Sequence, residues 1–181
     1  MSDLRDCVAA SRNVLREHAL KNGYDYFLSL EQDVIPPVDV IEKLMSRHQP
    51  VVSGVYYKQF HVTYTHQGKP VKTSTRIFPL ICTLLPGTEG TDKAHLCSPQ
   101  EVEGNQFFRI RGAGLGCLLI HCSILEKIKF RIAKDKELDK GSFDDINFSN
   151  DLWEMKIPMY TDTSVKCRHM VTRKDKMLFY Q

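Results

Sequence analysis

Long apolar runs are missing from this chain of 181 residues. Nowhere does it offer the roughly 18 continuous apolar residues of a membrane span, and the opening Met1-Ser2-Asp3-Leu4-Arg5-Asp6 lacks the apolar centre of a signal peptide. The expectation is a soluble, cytoplasmic protein with no membrane span. An excess of one charge is lacking too: 25 Lys and Arg stand against 22 Asp and Glu, a net charge of +3. That balance argues against a dedicated nucleic-acid or membrane binder, and no clustered basic stripe interleaved with aromatics is visible along the chain. Close cysteine pairs are absent. The six cysteines are Cys7, Cys82, Cys97, Cys117, Cys122 and Cys167, and their nearest approaches, Cys117-x4-Cys122 and Cys167-Arg168-His169, do not suit a structural zinc site. Thiols acting as small buried hydrophobes are predicted instead. Finally, no Gly-rich N-terminal loop with a following Arg or Lys is present to hold a triphosphate, which disfavours a nucleotidyltransferase.

What the chain does have is enough apolar material for one core: 42% hydrophobic residues, with 9 Phe, 7 Tyr and 1 Trp. Its most telling stretch is Tyr24-Asp25-Tyr26-Phe27-Leu28-Ser29-Leu30-Glu31-Gln32-Asp33, an apolar strand ending in two acids just before Pro36-Pro37. A helix is expected from Leu4 to Leu20, stopped by Asn22-Gly23, and a second from Val38 to Met45. A second strand is read over Pro50 to Tyr57. This α-β-α-β opening predicts an α/β domain with a mixed, mostly parallel sheet flanked by helices. Phe60 to Thr75 and Pro86 to Gly104 read as exposed excursions. Arg76 to Leu85 and Cys117 to Ile120 read as strands, and Asp144 to Glu154 as a helix. Short closing strands are expected at Met159-Tyr160 and from Val165 to Met170.

The order of several short motifs resembles that of the GT-A-fold glycosyltransferases, family 2-like. They are Ser11-Arg12-Asn13, then Phe27-Leu28-Ser29-Leu30-Glu31-Gln32-Asp33, then Val52-Ser53-Gly54-Val55-Tyr56. In the second half come Gly112-Ala113-Gly114 followed by Cys117-Leu118-Leu119-Ile120, then Phe143-Asp144-Asp145-Ile146-Asn147-Phe148, Tyr160-Thr161-Asp162, and finally Val165-Lys166-Cys167-Arg168-His169. The similarity runs from about residue 8 to 170 and implies a single catalytic domain over 1–181. Residues 1–60 form its nucleotide-sugar half and 105–170 its acceptor half. Two departures accompany it: the usual first βα unit ahead of the Arg-Asn helix is missing, and the usual Asp-x-Asp is Glu31-Gln32-Asp33.

What the resemblance implies is a glycosyltransferase that moves a sugar from a nucleoside diphosphate donor to a hydroxyl acceptor on a glycan, lipid or protein. Asp33, Glu31 and His169 would hold Mn²⁺ or Mg²⁺, Arg12 and Asn13 would contact the donor, and Gly112 and Gly114 would line the acceptor loop. The residues themselves support part of this. Oxygen ligands with one imidazole suit a hard divalent ion, which can neutralise charge on a departing phosphate. Asp144 and Asp145 open a helix, where the dipole favours carboxylates in any case. Two adjacent acids can also raise one pKa and leave that group able to take a proton, and Asp145 is the expected base, with inversion as the stereochemical consequence. The alternatives are a non-catalytic carbohydrate- or partner-binding module and a truncated, inactive chain.

Overall fold

The structure is a computed structural model and describes residues 4–66, 69–85, 93–132, 143–173 and 176–180. In chain order, α1 (Leu4–Lys21) leads to β1 (Tyr26–Leu30), β2 (Val34–Ile35), α2 (Val40–Met45) and β3 (Val51–Val55). Next come β4 (Tyr57–His66), β5 (Lys69–Pro79), β6 (Ile81–Leu84), β7 (Ala94–Leu96), a 3-10 turn (Pro99–Val102), β8 (Phe107–Ile110) and β9 (Gly112–Ala113). The chain closes with β10 (Cys117–His121), α3 (Cys122–Leu125), α4 (Asp144–Glu154), β11 (Met159–Lys166), β12 (Arg168–Arg173) and β13 (Lys176–Tyr180).

α1 ends where Asn22-Gly23 predicts. Gly23 has φ +69°, its N–H donates to the Leu20 carbonyl, and the Tyr24 N–H reaches back to Ala19. This is the paired closure of a Schellman cap, which needs a residue free to adopt a left-handed backbone. The face that α1 buries differs from the expected apolar one: Ala9, Arg16 and Ala19 are buried while Leu4, Val14 and Leu15 are exposed. Small residues let the helix lie close. Arg16 then donates from Nε to the Leu125 and Ile128 carbonyls at 2.6 and 3.0 Å, satisfying acceptors at the end of α3.

The central sheet has five strands in the order β1-β10-β3-β11-β8. Alternation on its inner strands divides the core in two. Val51, Val55, Leu118 and Ile120 pack with Ala9, Leu125, Phe148 and Leu152, whereas Val52, Cys117 and Leu119 pack with Val40, Leu44, Tyr56 and Val165. All six cysteines are free thiols. No helix among the described residues is long and apolar enough to cross a membrane.

The sheet overturns the predicted mixed, mostly parallel fold flanked by helices. Among the described residues only β3 and β11 pair in parallel; β1–β10, β10–β3 and β11–β8 are antiparallel, as are all pairs in the smaller sheets β13-β12-β2, β4-β5 and β7-β6-β9. The physical reason is non-local. The α-β-α-β opening suggested that β1 and β3 would be neighbours, but β10 inserts between them and runs against both. The described residues of the supposed excursion over Phe60 to Thr75 are strand as well, in β4 and β5, because its alternating Val, Thr and Tyr residues favour a pleated ladder despite their polarity. With these strand-rich, mainly antiparallel sheets, the GT-A-fold assignment drawn from motif order falls. Part of the second excursion, 86–92, and residues 133–142 lie outside the described residues.

Candidate functional site

β1 delivers Glu31 and Asp33 to a turn whose backbone is held at both ends: the Glu31 N–H donates to Gly116 and the Val34 N–H to the Glu31 carbonyl. β2 then pairs antiparallel with β12, setting Val34 opposite His169, and the Met170 N–H donates to the Asp33 carbonyl at 2.7 Å. That pairing carries His169 across the whole chain to Asp33. The imidazole is buried at 8% exposure, its Nε2 lies 3.2 Å from Asp33 Oδ2, and the edge of Tyr56 packs on it with centroids 5.6 Å apart.

The other ring nitrogen fixes the chemistry. His169 Nδ1 lies 2.7 Å from the Tyr57 carbonyl, which can only accept, so Nδ1 carries the hydrogen. In the neutral ring Nε2 then presents a lone pair to a carboxylate oxygen. Two lone pairs at 3.2 Å repel unless a proton or a cation satisfies both. An Nδ1–H held by a backbone carbonyl is also the usual support of a metal-ligating histidine. Among the described residues no group of three or more ligating side chains converges. A divalent ion at this point would have Asp33 and His169 as its protein ligands and would have to draw the rest of its shell from water or substrate.

Arg12 joins the acids. From α1 its Nε donates to Asp144 Oδ2 at 2.9 Å, Nη1 to Ser29 Oγ at 2.6 Å and Nη2 to Glu31 Oε1 at 2.7 Å. The Ser29 hydroxyl in turn donates to the Leu115 carbonyl at 2.6 Å. Burial pushes the Glu31 carboxyl above its usual range; Asp33 and Asp145 add to that, and Arg12 opposes it.

Asp144 and Asp145 open α4 after Phe143. The Asp145 N–H donates to Asp144 Oδ1 at 3.2 Å and the Ile146 N–H to Asp145 Oδ1 at 2.7 Å, so both acids serve the first turn. Burial nevertheless raises the Asp145 carboxyl, against the Ile146 N–H and with help from Asp144. Asp145 opens into a cavity of about 610 Å³, whose walls include Lys58, Phe60, Arg111, Phe143 and Asn150. Arg111 donates to Asn150 Oδ1 at 2.8 Å and lies over the Trp153 ring at 4.9 Å.

No family model matches this sequence, and no curated protein does. Among solved structures, the chain is similar to A197 from STIV. The TM-score is 0.52 at 21% identity, over 96% of this chain and 76% of that one. The likeness to A197 shows a shared fold and carries no activity across.

The sequence-predicted residues land in different settings. Asp33 and His169 touch, Glu31 stands beside them on Arg12, and Asp144 and Asp145 lie beyond the same guanidinium. Arg12, expected to face a donor, spends its donors inside the protein. Asn13 clasps the segment after α3, donating to the Phe130 carbonyl at 2.7 Å and accepting the Phe130 N–H at 3.0 Å. Gly112 and Gly114 line the cavity. A Cβ at Gly114 would overlap the Tyr56 hydroxyl, and one at Gly116 would come within 2.6 Å of the same ring and 3.0 Å of Glu31 Oε2. Tyr56 was missed by sequence reading. Buried at 2% exposure, it accepts the Gly116 N–H at 2.9 Å and holds the floor between Glu31 and His169. The sequence offered it only as the last residue of the motif Val52-Ser53-Gly54-Val55-Tyr56, with no role attached.

Proposed function

We propose that this cleft transfers a glycosyl group from a nucleoside diphosphate sugar to an acceptor hydroxyl, with inversion at the anomeric carbon. The observation that carries the reading is Asp145: a carboxyl with a raised pKa opens into a cavity of about 610 Å³, and its neighbour Asp144 is tied through Arg12 to Glu31, two residues before the Asp33 that meets His169. A base poised nearer to neutrality than an ordinary Asp suits deprotonation of a sugar hydroxyl. Asp145 takes the acceptor proton, the acceptor oxygen bonds to the anomeric carbon from the opposite face, and the bond from that carbon to the diphosphate oxygen breaks. Asp33 and His169 would hold Mn²⁺ or Mg²⁺, and such an ion would supply positive charge against the departing diphosphate. Arg12 keeps Glu31 and Asp144 in place and so fixes the distance between the two ends.

One observation favours a binding-only carbohydrate module: Asp145 Oδ1 is already occupied by the Ile146 N–H. The two readings part in one experiment. Uridine and guanosine diphosphates are titrated calorimetrically into the protein with Mn²⁺ present and then chelated, for wild type, Asp33→Ala and Asp145→Asn. Transfer predicts metal-dependent nucleotide binding that Asp33→Ala removes and Asp145→Asn keeps, with turnover falling about 10²–10⁴-fold in the latter. Nucleotide binding that is absent, or equal in wild type and Asp33→Ala, overturns it, and a product of retained configuration by NMR overturns the inverting step.

A further inference from the structure

Between Glu42 and Glu89 the sequence contains no Asp or Glu, and the hairpin of β4 and β5 fills the middle of that interval. Its register sets Lys58 opposite Phe78, Phe60 opposite Arg76, and Tyr64 opposite Lys72. Side chains alternate across a pleated ladder, so these six share one face. Their contacts agree: the Phe60 and Phe78 rings meet edge to face at 6.1 Å, and the Arg76 guanidinium lies 5.9 Å over the Tyr64 ring. Lys58 and Phe60 belong to the walls of the cavity that holds Asp145, and Lys58 Nζ sits 6.0 Å from the Phe143 ring. Farther along the same face, Tyr64, Lys72 and Arg76 border an open groove of about 590 Å³. Cations and rings thus alternate on one track that starts at the proposed base.

We infer that this track binds the acceptor, and that the acceptor is an acidic oligosaccharide bearing carboxylate or sulfate groups, its terminal hydroxyl reaching Asp145. The inference rests on the transfer reading above for the identity of the cavity, and on charge complementarity and continuity with that cavity for the ligand. Among the described residues neither Lys72 nor Arg76 has an acidic partner, so both remain able to engage an anion, and Arg76 presents a planar fork suited to carboxylate or sulfate. The flat face of Tyr64, 40% exposed, gives a sugar ring an apolar surface between them. A single nucleic-acid strand needs successive open rings for its bases, whereas Phe60 and Phe78 are turned onto each other. An anionic membrane needs an apolar surface to insert beside the cations; of the exposed aliphatic side chains described on this hairpin only Val71 borders the groove, whereas Ile77, opposite Gln59 in the register, lies on the other face.

The test is binding of the full chain, without nucleotide, to a hyaluronan hexasaccharide, to neutral maltohexaose, to oligothymidylate and to phosphatidylserine-containing vesicles. The hyaluronan fragment should bind best. Arg76→Ala should weaken it about tenfold, the loss of one charge-assisted hydrogen bond, with partial recovery in Arg76→Lys. Tyr64→Ala should weaken it and Tyr64→Phe should not. Equal affinity for maltohexaose, tighter binding of oligothymidylate or vesicles, or indifference to Arg76→Ala overturns the inference. Its failure is separable from that of the transfer reading. Uridine diphosphate binding measured on the same samples should be unchanged by Arg76→Ala, while Asp33→Ala should abolish nucleotide binding and leave hyaluronan binding intact.

Discussion

Glu31, Asp33, Asp144 and Asp145 crowd one end of the cleft, with Glu31 and Asp144 sharing the Arg12 guanidinium, whereas the hairpin leading to them carries Lys58, Lys69, Lys72 and Arg76 and no acid at all. At the acidic end charge is costly for Asp144 and Asp145, which have lost most of their water, and less so for the half-exposed Glu31 and Asp33. Its partners are fixed: Arg12 for Glu31 and Asp144, and the Ile146 N–H for Asp145. On the hairpin charge costs little, because Lys58, Lys69, Lys72 and Arg76 are all exposed. The contrast separates two kinds of residue. Changes at the acidic end should move stability and chemistry together, and changes on the hairpin should move binding alone.

Arg12→Met breaks the acidic end most severely. It strands Glu31 and Asp144 without their shared cation, and removing one partner of a buried pair costs about 3–5 kcal/mol. Urea unfolding at neutral pH should show a loss of that size. The loss should shrink on acidification, because a protonated Glu31 no longer needs the guanidinium. A cost below about 1 kcal/mol, or one independent of pH, would show that Arg12 is merely solvated.

Several of these features were legible in the chain. Asn22-Gly23 named the end of α1, and Phe143-Asp144-Asp145 named the start of α4, because caps depend on a few adjacent residues. Asp33 and His169 were paired through motif order, though the β2–β12 ladder that joins them left no local trace. The partners of Arg12 were not legible, since Asp144 is 132 residues away and an arginine on a helix face is ordinarily solvated. Strand order failed for the same reason: nothing near Tyr26 or Val51 announces that β10 will come between them. The hairpin track was hidden by spacing. Lys58, Lys72 and Arg76 look scattered along the chain, and only the register brings them onto one face with Phe60 and Tyr64.

Asp145→Asn sharpens the comparison by reversing the usual sign of a site mutation. Because burial raises the Asp145 and Glu31 carboxyls, the folded state holds their protons more tightly than the unfolded chain. Their contribution is thus fully present below the unfolded carboxylate range and is lost as pH rises through the raised folded values. Asparagine removes the Asp145 share while its amide oxygen can still accept the Ile146 N–H. Stability at neutral pH should therefore rise by up to about 1 kcal/mol, and the decline across the carboxylate range should flatten. A variant less stable than wild type at neutral pH would mean that Asp145 is there for the helix alone.

The smallest effect on folding belongs to the hairpin, and its smallness is the point. Lys72→Ala and Arg76→Ala remove exposed cations that touch no acid among the described residues, so unfolding free energy should change by no more than about 0.5 kcal/mol for Lys72→Ala and about 1 kcal/mol for Arg76→Ala. The reason lies in the ladder. Ten registered pairs from Tyr57↔Pro79 to His66↔Lys69 hold the two strands through backbone hydrogen bonds, which these substitutions leave untouched. Arg76 adds a contact with the Tyr64 ring, worth about 0.5–1 kcal/mol at an exposed site, so Arg76→Ala should cost slightly more than Lys72→Ala. If either variant instead unfolds the protein as readily as Arg12→Met does, the hairpin cations are structural, and the division between a stabilised acidic end and a binding track collapses.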